Sequence, residues 1–167
     1  KTTFALNIAE FVAISSKKSV AIFSLEMAKE ALMMRFLASC ARINGQDLRR
    51  GFFKASDWPK LTDAVAKIGK SPIYISDSTE MNAVELRSAA RKLAMKLEKR
   101  GNPLELIIVD YLQLLKDSGT GKRFESKQIE TAEISRSLKA LARDLNIPVI
   151  ALSQLSRQTE QRGQGKK

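Results

Sequence analysis

The chain's 167 residues suffice for one domain with a sizeable core, and its 44% hydrophobic and 28% charged content is that of an ordinary soluble protein. With one Cys and no His, an intrachain disulfide and a His/Cys metal site are excluded, and no apolar run approaches the roughly 20 residues a membrane helix needs. Against 18 Asp and Glu stand 29 Lys and Arg, a net charge of +11 that suits a polyanionic partner such as nucleic acid and equally suits a basic, solvated surface. The cysteine and histidine content makes the cytosol the expected setting.

The first three residues, Lys1-Thr2-Thr3, run directly into an apolar helix. That is how the last third of a phosphate-binding loop, G-x-x-x-x-G-K-[ST], reads: backbone N–H groups cradle phosphates, the Lys reaches the β/γ-phosphates and the hydroxyl sits on Mg²⁺. The glycines are not in the chain, and three such residues equally fit a surface lysine before a helix. The helix over 3–15 is apolar nearly all round (Phe4, Leu6, Ile8, Phe11, Val12, Ile14), which predicts a buried, central element.

A strand is expected over 19–25, then a helix over 29–43 in which Cys40 reads as a small buried apolar residue. A helix over 57–68 follows, with Ser56 as N-cap, Pro59 in the first turn and Trp58 as a packing residue. A second strand falls at 73–76. The helix over 84–100 aligns Leu86, Ala90, Leu93 and Leu97 on one face, leaving Arg87, Arg91, Lys92, Lys96, Lys99 and Arg100 as its outer, solvated face. After a third strand over 104–109 comes a loop-like stretch, KDSGTGKR (116–123). A helix over 128–145 and a last strand over 149–152 complete the pattern, and the Gly/Gln/Lys-rich residues 158–167 read as a mobile tail or an unfinished continuation.

Each of Pro72, Pro103 and Pro148 stands at the entrance of a strand, where a missing N–H costs little. The strands are continuous apolar runs, as parallel strands covered on both faces should be. Strand and helix alternate, so the class is α/β with a mainly parallel sheet flanked by helices.

In such sheets ligands bind beyond the carboxyl ends of the strands. Polar groups recur there: Ser24-Leu25-Glu26, Ser76-Asp77, Asp110-Tyr111 and Ser153-Gln154. They suit phosphoryl transfer from a nucleotide, which needs charge neutralisation and an oriented water more than covalent chemistry. Lys1 would supply positive charge and Thr2 would ligate Mg²⁺. Asp110, closing L-E-L-I-I-V-D, has the form of a Walker B carboxylate holding the same metal through water. Glu26 would be the base or positioner for the attacking water, or a carboxylate favoured at the N-terminus of the helix over 29–43. Gln154 carries an amide able to sense the γ-phosphate. Asp77, in D-S-T-E-M-N-A-V, reads as a helix cap.

F-S-L-E-M (23–27), L-M-M-R-F-L-A (32–38), I-I-V-D-Y-L-Q-L-L (107–115), A-E-I-S-R-S-L-K-A-L-A (132–142) and P-V-I-A-L-S-Q-L-S-R (148–157) occur in this order. Together they resemble the C-terminal ATPase domain of DnaB-type replicative DNA helicases, over essentially the whole chain. The resemblance implies a RecA-like P-loop NTPase core, here a single domain truncated at both ends, that uses ATP and Mg²⁺. It also implies a ring homohexamer that hydrolyses nucleotide at subunit interfaces, translocates on single-stranded DNA and unwinds duplex at the replication fork. By the same match Lys1, Thr2 and Thr3 fall in Walker A, Glu26 is the catalytic glutamate, Asp110 the Walker B aspartate and Gln154 the sensor glutamine. The family's glycine loop, arginine finger and main DNA loop are not found in the chain, and primase and loader contacts are expected through parts outside it.

Lys122 and Arg123, and secondarily Arg157 and Arg162, are candidates for touching DNA. With 6% aromatic content, contact with the DNA backbone fits better than base stacking. Two rivals stand beside the helicase: a RecA/RadA-type recombination or repair ATPase, and a non-catalytic DNA-binding or assembly module.

Overall fold

A computed structural model describes residues 1–78, 80–112 and 127–154, without the side chains of Lys127 and Gln128. Four parallel strands, β1 (Ser19–Ser24), β2 (Ile73–Ser76), β3 (Leu104–Asp110) and β4 (Val149–Ala151), form one sheet in the order β2-β1-β3-β4. The register sets Val20 beside Ile73 on one side of β1 and beside Leu106 on the other, and Ile108 of β3 beside Ile150. The two central strands are almost wholly buried and the two edge strands are half-buried.

The two-residue period of a strand divides the apolar side chains between two faces. Val20, Ile22, Leu106 and Ile108 meet α1 (Thr2–Glu10), α2 (Lys29–Ala41) and α4 (Trp58–Lys70) through Leu6, Ala9, Leu32, Phe36 and Ile68. Ala21, Phe23, Ile107 and Val109 meet α5 (Ala83–Glu98) and α6 (Lys127–Leu145) through Leu86, Ala90, Leu97, Ile134, Leu138 and Leu141. A satellite cluster of Ala41, Leu48, Leu61 and Ala64 joins α2 and α4 to a short α3 (Gly45–Arg50).

Several local expectations are corrected. The helix over 3–15 is not buried all round. It is α1 followed by a π-helical turn, Phe11–Ser15, and it lies on the sheet through Ala5, Leu6, Ala9 and Ala13 while Phe4 and Phe11 are 70% and 65% exposed. Small residues on the inner side let the helix approach the sheet closely, and the two rings, seven residues apart, share the opposite face. Ser56 is not the cap of α4. A 3₁₀ turn at Ala55–Asp57 precedes that helix, and the Asp57 carboxylate accepts from the Lys54 N–H at 3.2 Å and from Lys60 Nζ at 2.9 Å. Trp58 does pack, its ring edge meeting Phe53 at 5.0 Å, but it stays largely exposed. Cys40 is half-buried and polar in its contacts: Sγ donates to Glu10 Oε1 at 3.2 Å. On α5 the outer face is not wholly solvated, because Arg87 and Arg91 both pair with Asp144 of α6.

Candidate functional site

The carboxyl ends of β1, β3 and β4 and the N-terminus of α1 converge on a cleft of about 270 Å³ lined by Lys1, Thr2, Glu26, Asp110, Tyr111 and Gln154, with Leu152 and Ser153. This brings together five of the six residues proposed from the sequence for nucleotide chemistry. The sixth, Thr3, faces away, into a cavity of about 720 Å³ between α1, α2 and α3. That cavity, and an apolar groove of about 580 Å³ between α2 and α4, are larger than the cleft, but neither lies at the strand ends.

Main-chain hydrogen bonds lace the strand ends together. The Leu25 N–H donates to the Asp110 carbonyl at 2.8 Å, fixing the residue before Glu26 to the end of β3. Leu112 N–H donates to the Leu152 carbonyl and Leu152 N–H to the Val109 carbonyl, both at 2.9 Å, so the chain after Asp110 is tied to the chain before Gln154. Lys1 Nζ donates to the Ser153 carbonyl at 2.8 Å, closing the circuit from α1 to β4.

Inside this frame the groups differ sharply in environment. Glu26 is exposed, free to meet water. Asp110 is 5% exposed, and its Oδ2 is buried without a hydrogen-bond partner among the described residues. A buried carboxylate oxygen left unsatisfied costs free energy, and opposite charge is what relieves it. With Thr2 in the same cleft, the donor set is hard oxygen, which fits Mg²⁺ held partly through water. Among the described residues no cluster of three or more His, Cys, Asp or Glu suggests any other metal site.

Asp77 caps a helix as expected, though a different one. Its Oδ2 accepts from the N–H of Lys29, the first residue of α2, at 3.0 Å, and this bond holds its carboxyl below the usual range. The N-terminus of α5 is capped by Asn82, whose side chain accepts from Val84 and Glu85 while Glu85 returns a bond to the Asn82 N–H. One N–H at the head of α2, near which Glu26 also stands, is thus satisfied by Asp77.

Tyr111 and Ser153 were placed at the strand ends by the sequence but given no role of their own. Tyr111 adjoins Asp110 and could have been read as its neighbour in the cleft, whereas Ser153 acts through its carbonyl, which no side chain betrays. Lys122, Arg123, Arg157 and Arg162 lie outside the described residues.

All 167 residues match the family model of the DnaB-like helicase C terminal domain. The chain belongs to that family. It is 49% identical over 162 residues to the replicative DNA helicase DnaB of Geobacillus stearothermophilus, covering 97% of this chain and 34% of the relative. A solved structure of a DnaB-like replicative helicase, described with its interactions with primase, superposes with a TM-score of 0.82 at 36% identity, over 99% of this chain and 38% of that one. A solved ATPase domain superposes with a TM-score of 0.83 at 36% identity, over the whole of this chain and 57% of its own. These neighbours carry the RecA-like α/β fold expected from the sequence. The chain thus spans about a third of the length of the curated DnaB relative it matches.

Proposed function

We propose that this DnaB-like domain is the ATP-hydrolysing motor of a replicative DNA helicase that moves on single-stranded DNA and separates duplex strands. The observation that carries the reading is the cleft itself: an ammonium, a hydroxyl, an exposed carboxylate, a buried unsatisfied carboxylate and an amide gathered at the strand ends. Family membership favours the helicase over a recombination ATPase or a non-catalytic module.

In this reading Thr2 and Asp110 would hold Mg²⁺, which would supply neutralisation of the phosphate charge. Lys1 leaves the Ser153 carbonyl for the β/γ-phosphates, where its charge offsets that developing on the bridging oxygen. Glu26 orients a water and takes its proton as the water oxygen bonds to the γ-phosphorus and the bond to the β-phosphate oxygen breaks, giving ADP and phosphate. Gln154 follows the γ-phosphate. Because Lys1 holds the carbonyl of the residue just before Gln154, arrival of phosphate alters both ends of the same short contact. Thr3 contributes through the start of α1 more than through its side chain.

Single-stranded DNA is the proposed substrate surface, a ring homohexamer the working assembly, and Lys122, Arg123, Arg157 and Arg162 the proposed DNA contacts. Primase, with which a structural neighbour is described, and a loader are proposed partners through the rest of the protein, in the bacterial cytoplasm at the replication fork. No helix among the described residues is long and apolar enough to cross a membrane. The test is Mg-ATP hydrolysis by the protein at its full natural length, with and without single-stranded DNA, beside unwinding of a forked duplex. Hydrolysis stimulated by DNA together with unwinding is expected. Hydrolysis with strand pairing and no unwinding would move the assignment to a recombinase.

A further inference from the structure

Glu26 stands on a tight turn between the end of β1 and the start of α2, and that turn is fastened at three points. At its entrance the Leu25 N–H meets the Asp110 carbonyl at 2.8 Å. In its middle Ser24, 1% exposed, donates from Oγ to the Met27 carbonyl at 2.7 Å and accepts the Met27 N–H at 3.2 Å, so one hydroxyl spans the loop that carries Glu26. At its exit the Lys29 N–H is held by Asp77 Oδ2 at 3.0 Å, from the end of the neighbouring strand β2. An exposed carboxylate would otherwise ride on an unconstrained turn, and orientation within a fraction of an ångström is worth orders of magnitude in rate.

We propose that Asp77, seconded by Ser24, is a positioning residue for Glu26: it pins the exit of the Glu26 turn to β2 and so sets the carboxylate against Asp110 and the attacking water. Asp77 does not line the nucleotide cleft and touches no reacting atom. The proposal rests on the reading of Glu26 as the group that acts on water. The Lys29 N–H bond holds the Asp77 carboxyl below its usual range, so the Asp77 clamp is present at neutral pH. Asparagine offers an oxygen of the same reach and caps helices as well as aspartate does, whereas alanine offers none.

The test uses the protein at its full natural length with Mg-ATP, comparing Asp77→Ala, Asp77→Asn, Glu26→Gln and the double variant Asp77→Ala/Glu26→Gln. Asp77→Ala should lower kcat roughly ten- to a hundredfold at unchanged nucleotide affinity and KM, and Asp77→Asn should restore most of it. In the Glu26→Gln background the same change should have no further effect, because the group it positions is gone. A loss of kcat in Asp77→Ala that is equally large with Glu26→Gln would overturn the proposal, as would an unchanged kcat or a loss confined to KM. If Glu26→Gln alone keeps wild-type turnover, it is the assignment of Glu26 that fails, which this set separates from a failure at Asp77. Ser24→Ala supplies the second arm: it should show the same kcat loss and the same dependence on Glu26, and independence from Glu26 would confine Ser24 to the fold.

Discussion

At Asp110 the demands of folding and of function oppose one another. The side chain is 5% exposed and its Oδ2 has no hydrogen-bond partner among the described residues, a state that costs stability and that the proposed Mg²⁺ would relieve. Asp110→Asn keeps the shape and removes the charge. It should leave the thermal midpoint of the domain unchanged or raised, while increasing the Mg²⁺ concentration needed for half-maximal ATP hydrolysis by roughly 10- to 100-fold, the range for groups that hold a metal through water. A lowered midpoint with unaltered Mg²⁺ dependence would make Asp110 a structural residue. Cys40 offers a different residue-scale test. Burial first, then the Glu10 carboxylate that accepts its S–H, push its thiol up to about 12. Only the thiolate reacts with alkylating agents, so at pH 8 labelling should be roughly a thousandfold slower than for a free thiol. Glu10→Gln should speed it, with burial still acting.

Among the elements, α2 has the most to lose. Its Phe36 is 1% exposed on the sheet, in the same cluster as Ile22 and Leu106. Phe36→Ala should cost about 3–5 kcal/mol, read as a fall in the denaturation midpoint of this domain. A change below about 1 kcal/mol, the level of a conservative core swap, would mean that the sheet is not covered there. Periodicity and β-branched runs made the four strands, their parallel class and five long helices legible. The strand ends were legible too, because Glu26, Asp110 and Gln154 each follow an apolar run that stops abruptly. What escaped was of two physical kinds. The helix α3 has only six residues, too few to show a period, and is announced only by the Asn44 side chain accepting from the Gln46 and Asp47 N–H groups. Asp77 and Arg87 belong to tertiary pairings: the choice of α2 over α5 as the helix Asp77 caps, and of Asp144 as the partner of Arg87, is made by strand order and helix packing, which local pattern does not encode. In the same way α1 reads as apolar all round because sequence cannot say which of its faces the sheet will take.

For the molecule as a whole, the net charge of +11 has a thermodynamic signature if DNA is the partner. Each phosphate neutralised releases condensed counterions, so the logarithm of the affinity for single-stranded DNA should fall linearly with the logarithm of salt, by about 0.7 per phosphate contacted. Titration of a fluorescent oligonucleotide at several salt concentrations in the presence of a non-hydrolysable nucleotide would measure that slope. A slope near zero would remove the basic surface from DNA binding. The sheet order β2-β1-β3-β4 matters at this scale as well, because it sets β1 and β3 side by side and so places Glu26 and Asp110 at adjacent strand ends, with β4 and Gln154 next in line.

If this row of strand ends hydrolyses nucleotide with Glu26 acting on the water, as proposed, Glu26→Gln at full natural length is the variant to measure. ATP binding should be retained while steady-state hydrolysis, with and without single-stranded DNA, falls by about 100-fold or more, the scale of a lost general base. Equal hydrolysis by both proteins would take Glu26 out of the chemistry.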